Sequence, residues 1–362
     1  MTKNERINVL VTGVGGGGFG RQILKALKMA SIPYTIIGTD ISPLSIGLYE
    51  VDKSYIVPQA NAANYIPSVL DICCKENIDV LIAGSEPELL KISENRAEFE
   101  KHRIFLLLNT PDVLKICMNK WETYNFLLMN GFDCPKSLLI DNTTELSSID
   151  IETSVGFPLI VKPSLSSSGS SNVFIAQDKE ELEFFIRYLR KQWLTPIVQK
   201  YIGSFEEEYT IGILTDMQTG RLISSIAMKR HILSGLSNKI NVKNRNLDVL
   251  KTETLVISSG ISQGIIDDFP MVRRYCEDIA LKLRSKGPLN IQCRKVGNKI
   301  LTFEINPRFS GTTSIRALVG FNEPDILIRK CVLYEAISPV KYKKGIVVRG
   351  LSELYIPFDK LV

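Results

Sequence analysis

The strongest constraint on the fold of this chain is an alternation. Over roughly the first 110 residues, short β-branched runs take turns with stretches of helical period: "INVLVTG", then "RQILKALKMA", "YTIIGTD", "AANYIPSVLDICCKENI", "DVLIAG", "EPELLKISENRAEFEKH" and "IFLLLN". Such alternation predicts α/β architecture, a parallel sheet covered by helices. The first strand-to-helix turn, "VLVTGVGGGGFG", satisfies the G-x-G-x-x-G spacing through Gly13, Gly15 and Gly18, or equally through Gly15, Gly17 and Gly20. Asp40 ends the second strand at the distance where a dinucleotide fold places its ribose-binding acid. Two readings stand at this point: a cradle for a pyrophosphate, or a turn that needs glycine because backbone segments pass close together.

Downstream, "TPDVLKICMNKWETYNFLLMNGFDCPKS" reads as a helical passage stopped by Gly131 and Pro135. Two short strands flank a serine and glycine loop in "FPLIVKPSLSSSGSSNVFIAQ"; the helix "EELEFFIRYLRKQW" and the strands "PIVQKYI" and "EEEYTIGILTD" follow, and the chain ends on a β-rich "GIVVRGLSELYI". With 362 residues, 44% of them apolar, the chain can bury a large core and divide into two or three domains. A formal charge of +5, with no basic run interleaved with aromatics, argues against nucleic acid or a membrane surface as partner. No apolar stretch approaches the roughly 18 residues of a membrane span, so the expected compartment is the cytoplasm. Seven cysteines without a C-x-x-C pair argue against a disulfide framework. With only His102 and His231 available, zinc chemistry and Ser-His-Asp catalysis have little to stand on.

The chemistry concentrates in "LNIQCRKVGNKILTFEINPRFSGTTSIRALVGFN", residues 289–322, read as a β-hairpin leading into a helix. Alternation puts Leu301, Phe303 and Ile305 on one face of the second strand and Thr302, Glu304 and Asn306 on the other. A three-residue loop, Gly297 to Lys299, sets Gln292 opposite Glu304; a two-residue loop would place them on opposite faces, so the pattern selects the odd loop. That register gathers Gln292, Glu304 and Asn306 into a patch of oxygen donors with Arg308 beyond it. A carboxylate, neutral oxygens and room for phosphate oxygens suit magnesium.

"NIQ" followed by "FEINPR" resembles the metal-binding hairpin of ATP-grasp enzymes, and its Gln-Glu-Asn set is similar to that of the carbamoyl-phosphate synthetase large subunit. The resemblance implies a Rossmann-like N-terminal domain over residues 1–112, an ATP-grasp lobe over 113–200 and a second lobe with the metal hairpin over 201–362. It implies that Lys120 and Lys162 face the phosphates of ATP, that the loop with Ser168, Gly169 and Ser170 closes over them, and that the hinge Gln199, Lys200, Tyr201 and Ile202 reads adenine through its backbone. Lys200 stands where the family often has Glu. Glu208 corresponds to the acid that accepts from the ribose hydroxyls, and Lys229, Arg230 and Lys239 to cations near the γ-phosphate or the acid substrate. In this family the first glycine-rich loop has usually lost its dinucleotide.

These assignments imply an ATP-dependent carboxylate ligase using ATP and magnesium, or manganese in its place. Lys162, Arg230 and Arg308 would serve the chemistry, and a small-molecule carboxylate and an amine would be the substrates. Arg308 and the backbone donors at the start of "SGTTSIRALVG" would stabilise the acyl phosphate, and the acids of "GSEPELL", Glu86 and Glu88, could meet the amine. The family expectation is a homodimer. Two rivals follow from the same sequence: a nicotinamide-dependent oxidoreductase using the glycine-rich loop and Asp40, and a module that binds ATP without turnover.

Overall fold

The computed structural model describes residues 6–15, 18–141, 143, 151–165, 172–233, 235–338 and 340–362. The first sheet consists of β1 (Ile7–Val11), β2 (Tyr34–Asp40), β3 (Lys53–Ile56), β4 (Val80–Ile82) and β5 (Phe105–Leu106), in the order β3-β2-β1-β4-β5, and all its pairings are parallel. Four of these strands lie where the sequence alternation puts them. The edge strand β3 escapes that reading because "KSYI" is short and exposed at both ends.

The glycine-rich turn owes its glycines to packing. A Cβ on Gly20 would lie 2.1 Å from the carbonyl oxygen of Gly13, one on Gly84 1.9 Å from that of Thr12, and Gly13 holds a φ of +57°. Asp40 folds back on the same turn. Its Oδ2 accepts from the Gly15 N–H at 2.6 Å, and its Oδ1 accepts from the Ile41 N–H and the Ser45 hydroxyl. The acid offered to a ribose by the dinucleotide reading is thus committed to tying down the loop.

A second sheet, in the order β6-β9-β7-β8, is built from β6 (Ser137–Leu139), β7 (Leu159–Pro163), β8 (Phe174–Ala176) and β9 (Pro196–Lys200). It encloses its own core of Ile140, Leu159, Val161, Ile186, Leu189 and Val198 beneath the amphipathic helix Lys179–Lys191. The third sheet runs β16-β15-β10-β11-β14-β17, from β10 (Glu208–Thr215), β11 (Leu222–Arg230), β14 (Gly264–Asp267), β15 (Pro288–Val296), β16 (Lys299–Asn306) and β17 (Gly345–Val347). Between β11 and β14 the chain forms the ribbon β12 (Asn238–Lys243) and β13 (Thr254–Ser258). Of the β-rich C-terminal stretch, only Gly345–Val347 forms a strand; beyond it Leu351 and Tyr355 are exposed, with no neighbouring strand to order them.

One hydrophobic core joins the first and third sheets. Val9, Val11 and Leu24 pack in the same cluster as Leu214, Ile226, Phe309, Ile315 and Leu327. The first helix, Gly20–Lys28, rests on the helices Thr313–Leu318 and Glu323–Cys331, pinned by Asn322 Nδ2 donating to the Ala26 carbonyl at 2.7 Å and by the Ser314 hydroxyl donating to Gln22. Among the described residues no helix is long and apolar enough to cross a membrane.

Candidate functional site

The hairpin β15–β16 pairs Gln292 with Glu304 and Asn290 with Asn306, as the alternation requires, but reaches that register by another route. Val296 pairs with Lys299, so the loop has two residues, and the pairing shifts between Gln292 and Cys293. Phe303 is the extra residue of a β-bulge that restores the parity lost by the shorter loop. A consequence is that Leu301, Phe303 and Ile305 do not share a face. Ile300, Thr302 and Ile305 are buried, with Ile300 and Ile305 in one core cluster, while Phe303 joins Glu304 in lining the cleft. The bulge is what allows two consecutive side chains to serve one site.

Asn119 aims the first lysine. The helical passage read from sequence is two helices, Pro111–Met118 and Lys120–Met129, broken where Asn119 turns extended and its Oδ1 accepts from the N–H groups of Trp121 and Glu122. Asn119 also bridges to Leu165, and the Lys120 N–H donates to the Ser164 carbonyl at 2.7 Å. The break therefore fixes Lys120 at a helix start beside the end of β7, where its Nζ donates to the Leu165 carbonyl at 3.3 Å. Lys162 projects from β7 into the same cleft, its Nζ donating to Gln199 Oε1 at 2.8 Å. Burial, then the neighbouring charge of Lys120, pushes the Lys162 ammonium down to about 7 against the opposing pull of Glu304. Burial lowers Lys120 as well, while Glu304 and Glu86 raise it. With Glu86 paired to Arg308, the buried Lys162 and the half-buried Lys120 share Glu304 alone, a deficit of negative charge that a triphosphate would fill.

The hinge closes the other side of the cleft. The N–H groups of Lys200 and Tyr201 donate to the carbonyls of Lys136 and Pro158, and no backbone acceptor among the described residues takes the Ile202 N–H. The Lys200 side chain turns away, donating to the carbonyls of Gly156 and Phe157. Glu208 is buried between two guanidiniums: Oε1 accepts from Arg230 at 2.7 Å, and Oε2 lies 2.9 Å from Arg294. Although desolvation is the largest influence on Glu208 and acts upward, the two arginines hold its carboxyl below the usual range.

Arg230 acts as a strut. Its guanidinium donates to Glu208, to the Ser258 hydroxyl, to Gln292 Oε1 at 3.0 Å and to the Ser259 carbonyl. Gln292 thus turns its oxygen to Arg230 and donates from Nε2 to Glu304 Oε2 at 3.0 Å. Arg308 donates to Asn306 Oδ1 at 3.1 Å, pairs with Glu86 at 2.7 Å and stacks 4.3 Å from the centre of the Phe19 ring. Glu86 Oε2 is buried without a hydrogen-bond partner. Glu88 lies behind the glycine-rich turn, bonded to Ser85 and Tyr65, and does not line the cleft.

Other expected residues fall elsewhere. Lys229 pairs with Glu207 outside the cleft, and Lys239 is exposed on β12. Ser168, Gly169 and Ser170 lie outside the described residues. The start of the helix Thr313–Leu318 does not present a row of free donors: the N–H groups of Ser310, Thr312 and Thr313 are taken by Thr313 Oγ1, Ser310 Oγ and the Ser310 carbonyl. Sequence reasoning missed Arg294, whose guanidinium lies 4.6 Å from the Tyr201 ring centre, although its position on the Gln292 face of β15 was a usable signal. Among the described residues no group of three His, Cys, Asp or Glu side chains could hold a metal. The donors on hand are the Glu304 carboxylate and the amide oxygens of Asn306 and Gln292, an all-oxygen set that fits a hard cation also bound to phosphate.

The cleft opens into a second cavity of about 1000 Å³, which shares Glu86, Gln292 and Arg308 with it. This cavity runs between the first helix, the third sheet and the C-terminal segment around Arg349.

Residues 9–107 match the PylC-like N-terminal domain, residues 117–218 the RimK-like ATP-grasp domain, and residues 258–354 the ATP-grasp domain of the biosynthetic pathway with Ter operon. The large chain of carbamoyl phosphate synthase from Methanosarcina mazei is 24% identical over 303 residues, which are 82% of this chain and 24% of that relative. This chain therefore spans about a quarter of the relative's length. N5-carboxyaminoimidazole synthetase from Staphylococcus aureus, complexed with ADP, has a TM-score of 0.66 at 9% identity, with 94% of this chain and 82% of that chain covered. D-alanine–D-alanine ligase from Bacillus anthracis, complexed with ATP, has a TM-score of 0.59 at 15% identity, with 91% and 98% covered.

Proposed function

Because the chain belongs to the ATP-grasp superfamily, we propose that it is an ATP-dependent ligase that activates a small-molecule carboxylate as an acyl phosphate and passes it to an amine. The observation that carries this reading is the convergence of Lys120, Lys162, Glu304 and Arg308, drawn from three separate segments, on the one cleft bounded by the hinge. Adenine lies along the hinge, where the Ile202 N–H is available, and the ribose lies toward Glu208. The phosphates point at Lys120 and Lys162. Glu304 and Asn306 would hold magnesium, with Gln292 as a further oxygen donor were it to release Arg230; when bound, the metal would supply charge neutralisation to the phosphates.

The acid enters from the larger cavity and attacks the γ-phosphorus in line, breaking the bond to the β,γ-bridging oxygen and releasing ADP, with Arg308 balancing charge on the transferring group. Positioning and electrostatics suffice, so no enzyme nucleophile is needed. Glu86 Oε2, buried and unpartnered, would accept a proton from the amine that displaces phosphate. The test is phosphate release from ATP and magnesium against pools of amino acids, sugar acids and amines, with Glu304→Ala as control. Release that depends on one acid and one amine, and is lost in the variant, supports the ligase. ATP binding without release in any pool would overturn it in favour of a nucleotide-binding role without turnover.

A further inference from the structure

The larger cavity is far more cationic than a site for a simple monoacid requires. Its wall includes Arg21, Lys25, Lys28, Arg230, Arg308 and Arg349, against the single acid Glu86. Three of these cations have carboxylate partners: Arg21 with Glu50, Arg230 with Glu208 and Arg308 with Glu86. Among the described residues, no carboxylate lies within ion-pair distance of Lys25, Lys28 or Arg349. Arg349 is nonetheless held firmly by neutral acceptors, the Gly311 carbonyl at 2.8 Å, Ser314 Oγ at 3.1 Å and Gln22 Oε1 at 3.3 Å. Burial lowers its guanidinium to about 10; burial first, then Arg21, Arg349 and Lys28, push Lys25 down against the opposing pull of Glu50. A positioned, half-buried guanidinium with no anion beside it is unfavourable until a ligand supplies one.

Resting on the ligase reading, we propose that the acid this chain activates carries a second anionic group, a carboxylate or a phosphate, seated between Arg349 and Lys25. The first helix sets the spacing. Arg308 stacks on Phe19, Arg349 bonds to Gln22, and Lys25 lies one turn further, so the second anion sits about 4.5 to 9 Å along the helix axis from the reacting end. That span matches acids with three to six atoms between their charged groups. A cavity of about 1000 Å³ is also far larger than a one-carbon acid such as bicarbonate occupies.

The test is calorimetry on the full chain with magnesium and a non-hydrolysable ATP analogue, using matched probes: glutarate against pentanoate, adipate against hexanoate, and 3-phosphoglycerate against glycerate. At least one two-anion probe should bind about tenfold or more tightly than its partner, and the preferred pair tells carboxylate from phosphate. Arg349→Met should erase the preference while leaving the analogue's affinity within about twofold, Arg349→Lys should retain part of it, and Lys25→Met should weaken it without touching Arg349. Equal binding within every pair, or an Arg349→Met loss that falls equally on both members of the preferred pair, would overturn the subsite. The ligase reading has its own readout, ADP formation and trapping of an acyl phosphate by hydroxylamine. A two-anion acid that binds without either result overturns that reading and leaves the subsite standing.

Discussion

Nucleotide binding measured across the neutral to alkaline range isolates the role of Lys162. The free protein holds this ammonium at about 7 because it is buried and lies near Lys120, and a triphosphate beside it would restore the charged form. At pH 8 a group with that value is about one-tenth protonated, so ATP binding takes up about 0.9 proton at Lys162, falling to about 0.5 at pH 7 and about 0.1 at pH 6. The complex holds more protons than the free protein, so affinity falls as pH rises above about 7, approaching tenfold per unit, and levels off below it. Titrating a magnesium-ATP analogue in buffers of different ionisation enthalpy gives the proton count directly. Lys162→Met should remove that uptake and flatten the pH slope. Wild-type binding at pH 8 without proton uptake, or uptake unchanged in Lys162→Met, would refute the placement of this lysine on the triphosphate.

Other perturbations test the rest of the site and its supports. Glu304→Gln should retain nucleotide binding while ADP formation falls by about 100-fold or more, as steady-state turnover would show. Arg316 is 1% exposed and pairs with Glu323 at 2.8 Å while bonding Asn290 below the acid cavity. Arg316→Met leaves the Glu323 charge uncompensated and should cost about 3 to 5 kcal/mol in urea denaturation. Asn119→Ala removes a helix cap worth about 1 kcal/mol and loosens Lys120, so stability should fall modestly and the KM for ATP should rise. Gly20→Ala forces a Cβ to 2.1 Å from the Gly13 oxygen. It should lower the denaturation midpoint with the KM for ATP unchanged; a variant as stable as the parent would show that packing is not why glycine stands there.

The parts of this molecule legible in the sequence are those in which a local period records which face is buried. The parallel sheet and the Gln292–Glu304 pairing follow from such periods. Loop length in the hairpin does not, because an odd loop and an even loop with a bulge place Glu304 on the same face, and Phe303 looks apolar either way. The break at Asn119 had a signal: asparagine followed three residues later by Glu122 is the pattern of a helix start, hidden inside an apolar run that continues across it. The Glu86–Arg308 pair and the seat of Arg349 on Gln22 join residues hundreds of positions apart, and no local pattern encodes them. The charge imbalance of the acid cavity therefore appears only once the fold brings the first helix and the C-terminal segment together.

The core shared by the first and third sheets has a mechanical consequence. The two sheets pack through one cluster and act as a single block, whereas the sheet of β6 to β9 has its own core. Most of the described wall of the acid cavity comes from that block, with Leu236 and residues 259–262 added beside the β12–β13 ribbon, while the nucleotide cleft also takes its lining from the smaller sheet. A shift of the smaller sheet against that block would therefore reshape the berth of the nucleotide and touch the acid's only where the ribbon lines it. The acid meets a mould with one movable edge, the nucleotide a jaw.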